Sequence, residues 1–89
     1  MKITILPTGE SQMIDELHIE LGRRIEKCRR DMGFTREGLA AKCAPPISSK
    51  YLWEIETGRK KLSADMLRRL AVALDVTSDY LLGLSEIEK

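Results

Sequence analysis

Aromatic residues are scarce in this chain: one Phe, one Trp and two Tyr occur among 89 residues. Any core it builds must therefore be mostly aliphatic. No apolar run approaches the ~18–20 residues needed to span a bilayer, so no membrane association is expected. The N-terminal "KITIL" stretch is too short for a signal-peptide core and has no small-residue cleavage site. No export signal is apparent, and a cytoplasmic location is expected. Histidine occurs once, as His18, and cysteine twice, as Cys28 and Cys43. These three residues fall short of a conventional closed zinc site. A structural disulfide is not expected in a reducing compartment. Both cysteines fall on apolar helical positions and read as small buried hydrophobes. Nor is there a nucleophile–base set, a phosphate-cradling loop or a metal cluster. Metal, cofactor, small-molecule ligand and enzyme activity are accordingly not expected.

Charge of either sign is plentiful, and its placement is uneven. The net charge is only +1. Residues 21–69 nevertheless hold thirteen Lys/Arg against six Asp/Glu, a net +7. The remaining residues hold two Lys/Arg against eight Asp/Glu, a net −6. A basic middle between acidic ends points to a nucleic-acid face in the central segment. Eighty-nine residues are enough for one small domain with a single core.

One six-residue phrase recurs four times: an apolar residue, Ser or Thr, three variable residues, then Leu. It appears at Phe34-Thr35…Leu39, Ile47-Ser48…Leu52, Leu62-Ser63…Leu67 and Val76-Thr77…Leu81. The hydroxyl residue is a good N-cap, because its oxygen can accept from free N–H groups of the first turn. The flanking apolar pair occupies the hydrophobic-staple positions. Glu37, Asp65 and Asp79 suit the positive end of each helix dipole.

A longer helix precedes these four. Leu17, Leu21, Ile25, Cys28 and Met32 share one face at spacings of three or four. Arg23, Lys27 and Arg30 lie opposite, and Gly33 supplies the stop. Gly58 and Asp75 mark two later stops. The expected architecture is all-α, with helices near 12–32, 35–43, 48–57, 63–74 and 77–84. Residues 1–10 form a tail or a short strand, with Ile3 and Ile5 alternating around Thr4 and Pro7-Thr8-Gly9 closing the segment. Residues 11–84 form the domain and 85–89 a C-terminal tail. Gly38, inside the second helix, costs ~1 kcal/mol relative to Ala, and close packing against the third helix would account for it.

The second and third helices are short, joined by a connection containing Pro45-Pro46, and followed by Arg59-Lys60-Lys61. That pattern is how a helix-turn-helix looks in sequence. Together, "LGRRIEKCRRDMGFTREGLAAK" and "YLWEIETGRKKLSADMLRRLAVALDVTSDYLLG" resemble the XRE family, the Cro and phage-repressor type of DNA-binding domain. The resemblance covers roughly residues 19–84, including "GFTREGLAAK", "IETG" and "LAVALDV". It implies a compact five-helix, lambda-repressor-like fold.

By this resemblance, Ser48 begins the recognition helix, which lies in the major groove with its N-terminal residues toward the bases. Ser49, Lys50 and Glu54 become the base-contacting positions, with Trp53 at their margin, while Leu52 and Ile55 face inward. Lys50 can donate to guanine O6 and N7, Ser49 can donate or accept, and Glu54 can accept from cytosine N4. Glu54 also reads as a solvated acid or as a partner for Lys50, four residues earlier. For Trp53 three readings stay open: groove contact, packing onto the turn, or a protein partner. Phosphate contacts fall to Arg36, Tyr51, Thr57, Arg59, Lys60 and Lys61, with Tyr51 packing or donating its hydroxyl. Arg29 and Glu56 match a partly buried ion pair of the family.

The chain departs from the family pattern at the turn. Ala44 stands where a glycine is usual, and Pro45-Pro46 looks like a two-residue insertion. Proline disfavours α geometry in the preceding residue, so the second helix must end by Cys43 or Ala44. The expected function is a sequence-specific DNA-binding transcriptional regulator, a repressor acting as a homodimer on a palindromic operator of double-stranded DNA. Tyr80, Leu82, Leu84 and Ile87, or the "KITIL" segment, are the dimer candidates. The alternative is a protein-interaction module on the same scaffold, such as an antitoxin subunit or a regulator partner.

Overall fold

The computed structural model describes the backbone of residues 7–84 and the side chains of residues 16–84. Five helices follow one another: α1 (Pro7–Asp31), α2 (Arg36–Lys42), α3 (Ser49–Glu56), α4 (Ala64–Leu74) and α5 (Ser78–Leu82). No strand occurs among the described residues.

All four repeated phrases cap a helix. The hydroxyls of Thr35, Ser48, Ser63 and Thr77 accept from the backbone N–H of Gly38, Tyr51, Met66 and Tyr80. Each cap has extended backbone, so the chain turns into the helix at one residue. The staple partners Leu39, Leu52 and Leu81 are fully buried, and Leu67 packs against the same core. The stops also follow chemistry. Gly33, Gly58 and Gly83 have φ near +80°, and Asp75 takes φ 59° at the end of α4. Aspartate tolerates this left-handed geometry better than most side chains.

Helix α1 starts at Pro7, rather than near residue 12. Pro7-Thr8-Gly9, expected to close a strand or tail, form its first turn instead. Proline is favoured at that position because the missing N–H has no helical partner there anyway. Ile3 and Ile5, the strand candidates, lie outside the described residues.

The core is aliphatic. Ile25, Leu39, Leu52, Ile55, Leu70, Leu74 and Leu81 are its largest fully buried side chains. Each contributes ~1.5–3 kcal/mol by leaving water. Cys28 and Cys43 are buried with them, and no disulfide joins them. Burial pushes the Cys43 thiol above its ordinary pKa, against an opposing pull from Arg69. The expected apolar stripe is buried only at Leu21, Ile25 and Cys28, while Leu17 and, one residue past α1, Met32 are exposed.

Helix α1 crosses α3 at very short range. A Cβ on Gly22 would lie 2.3 Å from the Ile55 carbonyl oxygen and 2.7 Å from that of Glu56. Only glycine admits this approach, which sets how deeply α3 seats on α1. Gly38 has a different explanation from the expected one. The neighbours of a Cβ there would be Thr35 Oγ1 at 3.1 Å and Phe34 Cδ1 at 3.8 Å, with no α3 atom within 4 Å. The space is taken by the cap and staple of its own helix.

Candidate nucleic-acid interface

Helix α2 ends at Cys43, whose N–H still donates to Leu39 O. Ala44, Pro45 and Pro46 then stand exposed, and the Ala44–Pro45 peptide is cis. Ile47 returns to the fold, its N–H donating to Ala40 O at 3.1 Å. The extra residues thus form an outward loop whose far end is tied back to the second turn of α2. From α4, Arg69 Nη2 donates to Pro45 O. Ile47 packs on the core, and Ser48 then caps α3.

The inner face of α3 is Leu52, Ile55 and Glu56, all buried. Glu56 is a buried carboxylate with three donors. Arg29 gives Nε at 2.7 Å and Nη2 at 3.2 Å, and Arg36 gives Nε at 3.0 Å. Arg29 Nη1 also donates to Phe34 O at 2.9 Å. The cluster ties α1, the start of α2 and the end of α3 together. A bidentate Arg–carboxylate pair holds angle as well as distance. Spacing alone did not reveal the participation of Arg36.

The outer face of α3 presents Lys50 and Trp53 exposed, with Ser49, Tyr51 and Glu54 half-buried. Of these, Tyr51 packs against the core. No ion pair joins Lys50 to Glu54 among the described residues. Past α3 the chain doubles back. The N–H groups of Arg59 and Lys60 both donate to Glu54 O, at 2.8 and 3.2 Å. Thr57 Oγ1 donates to Trp53 O at 2.8 Å, which turns its only side-chain donor back onto the helix. Arg59 places its guanidinium carbon 4.9 Å from the Trp53 ring centroid. This loop is seated on α1: a Cβ on Gly58 would meet Ile19 Cγ1 at 2.5 Å, and Leu62 N–H donates to His18 Nδ1 at 3.4 Å.

Two short helices, a stapled turn, an outward polar face and a cationic exit therefore meet in one region. A family model described as a helix-turn-helix domain matches residues 20–82. The chain belongs to the helix-turn-helix domain family. No curated protein and no solved structure matches it. Membership supports a DNA-binding regulator and agrees with the XRE resemblance.

Within this helix-turn-helix domain, the anticipated site residues fall into two groups. Ser49, Lys50, Trp53, Glu54, Arg59, Lys60 and Lys61 lie on the outer face of α3 or on the loop that leaves it. Arg36 is partly committed to Glu56, with its side chain 31% exposed. On α5, Tyr80 is half-buried beneath Arg24, whose guanidinium carbon lies 5.6 Å from the ring centroid. Leu82 and Leu84 are exposed, while Ile87 lies outside the described residues. Sequence reasoning missed Arg69, Gly22 and His18. The signal for Arg69 was an arginine three residues after Met66 and four before Ala73, inside the apolar stripe of α4. For Gly22 it was a glycine beside the buried stripe of a long helix. Among the described residues, no helix is long and apolar enough to cross a membrane, and no group of three metal-binding side chains occurs.

Proposed function

We propose that the protein is a sequence-specific transcriptional regulator, a repressor that reads the major groove with α3 as a homodimer on a palindromic operator. The supporting observation is the two-sided character of α3. Leu52 and Ile55 seal it to the core, while Ser49, Lys50 and Glu54 stay at least partly exposed on the face that leads into the 59–61 loop. A helix of eight residues buries too little for high specificity alone, and two-fold pairing supplies a second half-site. Exposed Leu82 and Leu84 provide apolar surface for that pairing. The reading includes no catalysis.

In this reading Lys50 and Ser49 meet base edges, with Glu54 accepting from cytosine and Trp53 at the margin. Arg36, Arg59, Lys60 and Lys61 hold phosphates and set register. Thr57 has its hydroxyl proton engaged, and Tyr51 is chiefly packed, so both contribute less. The second reading, a protein-interaction module such as an antitoxin subunit or regulator partner, draws on the exposed Trp53 and the near-zero net charge.

Selection of bound fragments from random duplex DNA separates the two readings. A recovered palindrome supports the regulator. No enrichment at low salt, together with Trp53 quenching by a protein partner, refutes it. With the palindrome in hand, Lys60→Ala weakens every duplex alike, whereas Lys50→Ala also relaxes preference at one base pair. Identical behaviour of the two variants would refute the division into readers and anchors.

A further inference from the structure

We infer that Trp53 is a positioning residue: its ring holds the Arg59 guanidinium as a preformed phosphate anchor, so Trp53 sets affinity rather than base preference. The inference rests on the DNA-binding reading above and narrows the role of one residue in it.

Three observations carry it. Arg59 lies over the Trp53 ring, with 4.9 Å between guanidinium carbon and centroid. Contact through the π face uses none of the five guanidinium N–H donors, so all remain for an anion. Most other fixed cations are held differently, although Lys42, on α2, also lies over a ring, that of Phe34, at 5.7 Å. Lys27, Arg29, Arg30, Arg36 and Arg69 each pair with a carboxylate, Arg29 and Arg36 sharing Glu56, and Arg24 spends donors on the carbonyls of Leu81 and Tyr80. Arg59 pairs with none among the described residues, so it is ordered without loss of field.

The third observation is that the backbone beneath Arg59 is fixed before any ligand arrives. Glu54 O accepts from both Arg59 and Lys60, and Gly58 N–H donates to Ile55 O at 3.1 Å. Gly58 sits at φ +78° against Ile19, and Leu62 is tied to His18. A long cation on a flexible loop would lose much rotamer freedom on meeting a phosphate. This one has already been placed. The same contact leaves Trp53 with a cation over its ring, which disfavours that face as an apolar surface for a thymine methyl.

The test is a double-mutant cycle on the selected duplex, read by fluorescence anisotropy of labelled DNA for wild type, W53L, R59A, the double variant and W53F. W53L is expected to weaken binding by ~2- to 5-fold, equally across single base-pair variants of the duplex. The double variant should bind no worse than R59A, and W53F should restore most of the loss by keeping an aromatic face. Trp53 is the only tryptophan, so R59A should also change its emission without DNA. Strictly additive losses, or a change of preference at one base pair in W53L, would overturn the positioning role while leaving the regulator reading intact. Failure of wild type to bind any duplex at low salt would overturn both.

Discussion

Arg29 and Arg59 are both fixed side chains, held by opposite means. Arg29 is buried and spends its donors on Glu56 and Phe34 O. Arg59 is exposed and lies on the Trp53 ring. One is cancelled by a carboxylate and serves geometry, because removing charge from water is costly unless it is paired. The other keeps its charge and its donors. In a chain of net charge +1, affinity for a polyanion depends on which cations remain unneutralised, and where they stand.

The largest expected effect breaks the buried side of this comparison. Arg29→Ala leaves Glu56 with Arg36 as its one ion-pair partner among the described residues and should destabilise the fold by ~3–5 kcal/mol, seen in urea or thermal unfolding. Arg59→Ala should change stability by no more than ~0.5 kcal/mol, as for an ordinary surface site. Equal destabilisation by the two would end the distinction. Next, Gly22→Ala forces a Cβ onto two backbone carbonyls of the α3 end. Overpacking of ~1–3 kcal/mol outweighs the ~1 kcal/mol gained from helix propensity, so the melting temperature should fall. Gly38→Ala, facing its own cap, should be the milder of the two glycine changes.

Lys50→Ala sharpens the exposed side. It should cost ~1–3 kcal/mol of binding to the preferred duplex with an unchanged unfolding midpoint. Ser48→Ala removes one cap, for ~1 kcal/mol of stability. Its DNA affinity should fall only as far as the folded fraction does.

Much of the fold was legible because its information is local. Four caps, four staples and the glycine stops each depend on residues within one turn, and the helix positions follow from them. What was not legible depends on the distance between elements. Gly22 matters because α3 comes within van der Waals range of it, and no spacing on α1 states that. Gly38 was assigned to the wrong neighbour for the same reason. The start of α1 at Pro7 was missed because proline is ambiguous: it ends one segment as readily as it begins a helix. At the interface, residue types and their order on α3 were readable, but the partners were not. Arg36 on Glu56, Arg59 on Trp53 and Arg69 on Pro45 are tertiary facts. Each changes what a cation in the sequence can offer a phosphate.

The central claim is that an exposed, unneutralised set of cations beside α3 holds DNA phosphates. Its most direct test is the salt dependence of duplex binding for wild type and Arg59→Ala. The predicted result is a steep linear fall of log affinity with log salt, with the slope reduced by ~0.9 when Arg59 is removed. A slope near zero, or one unchanged by the substitution, would contradict it.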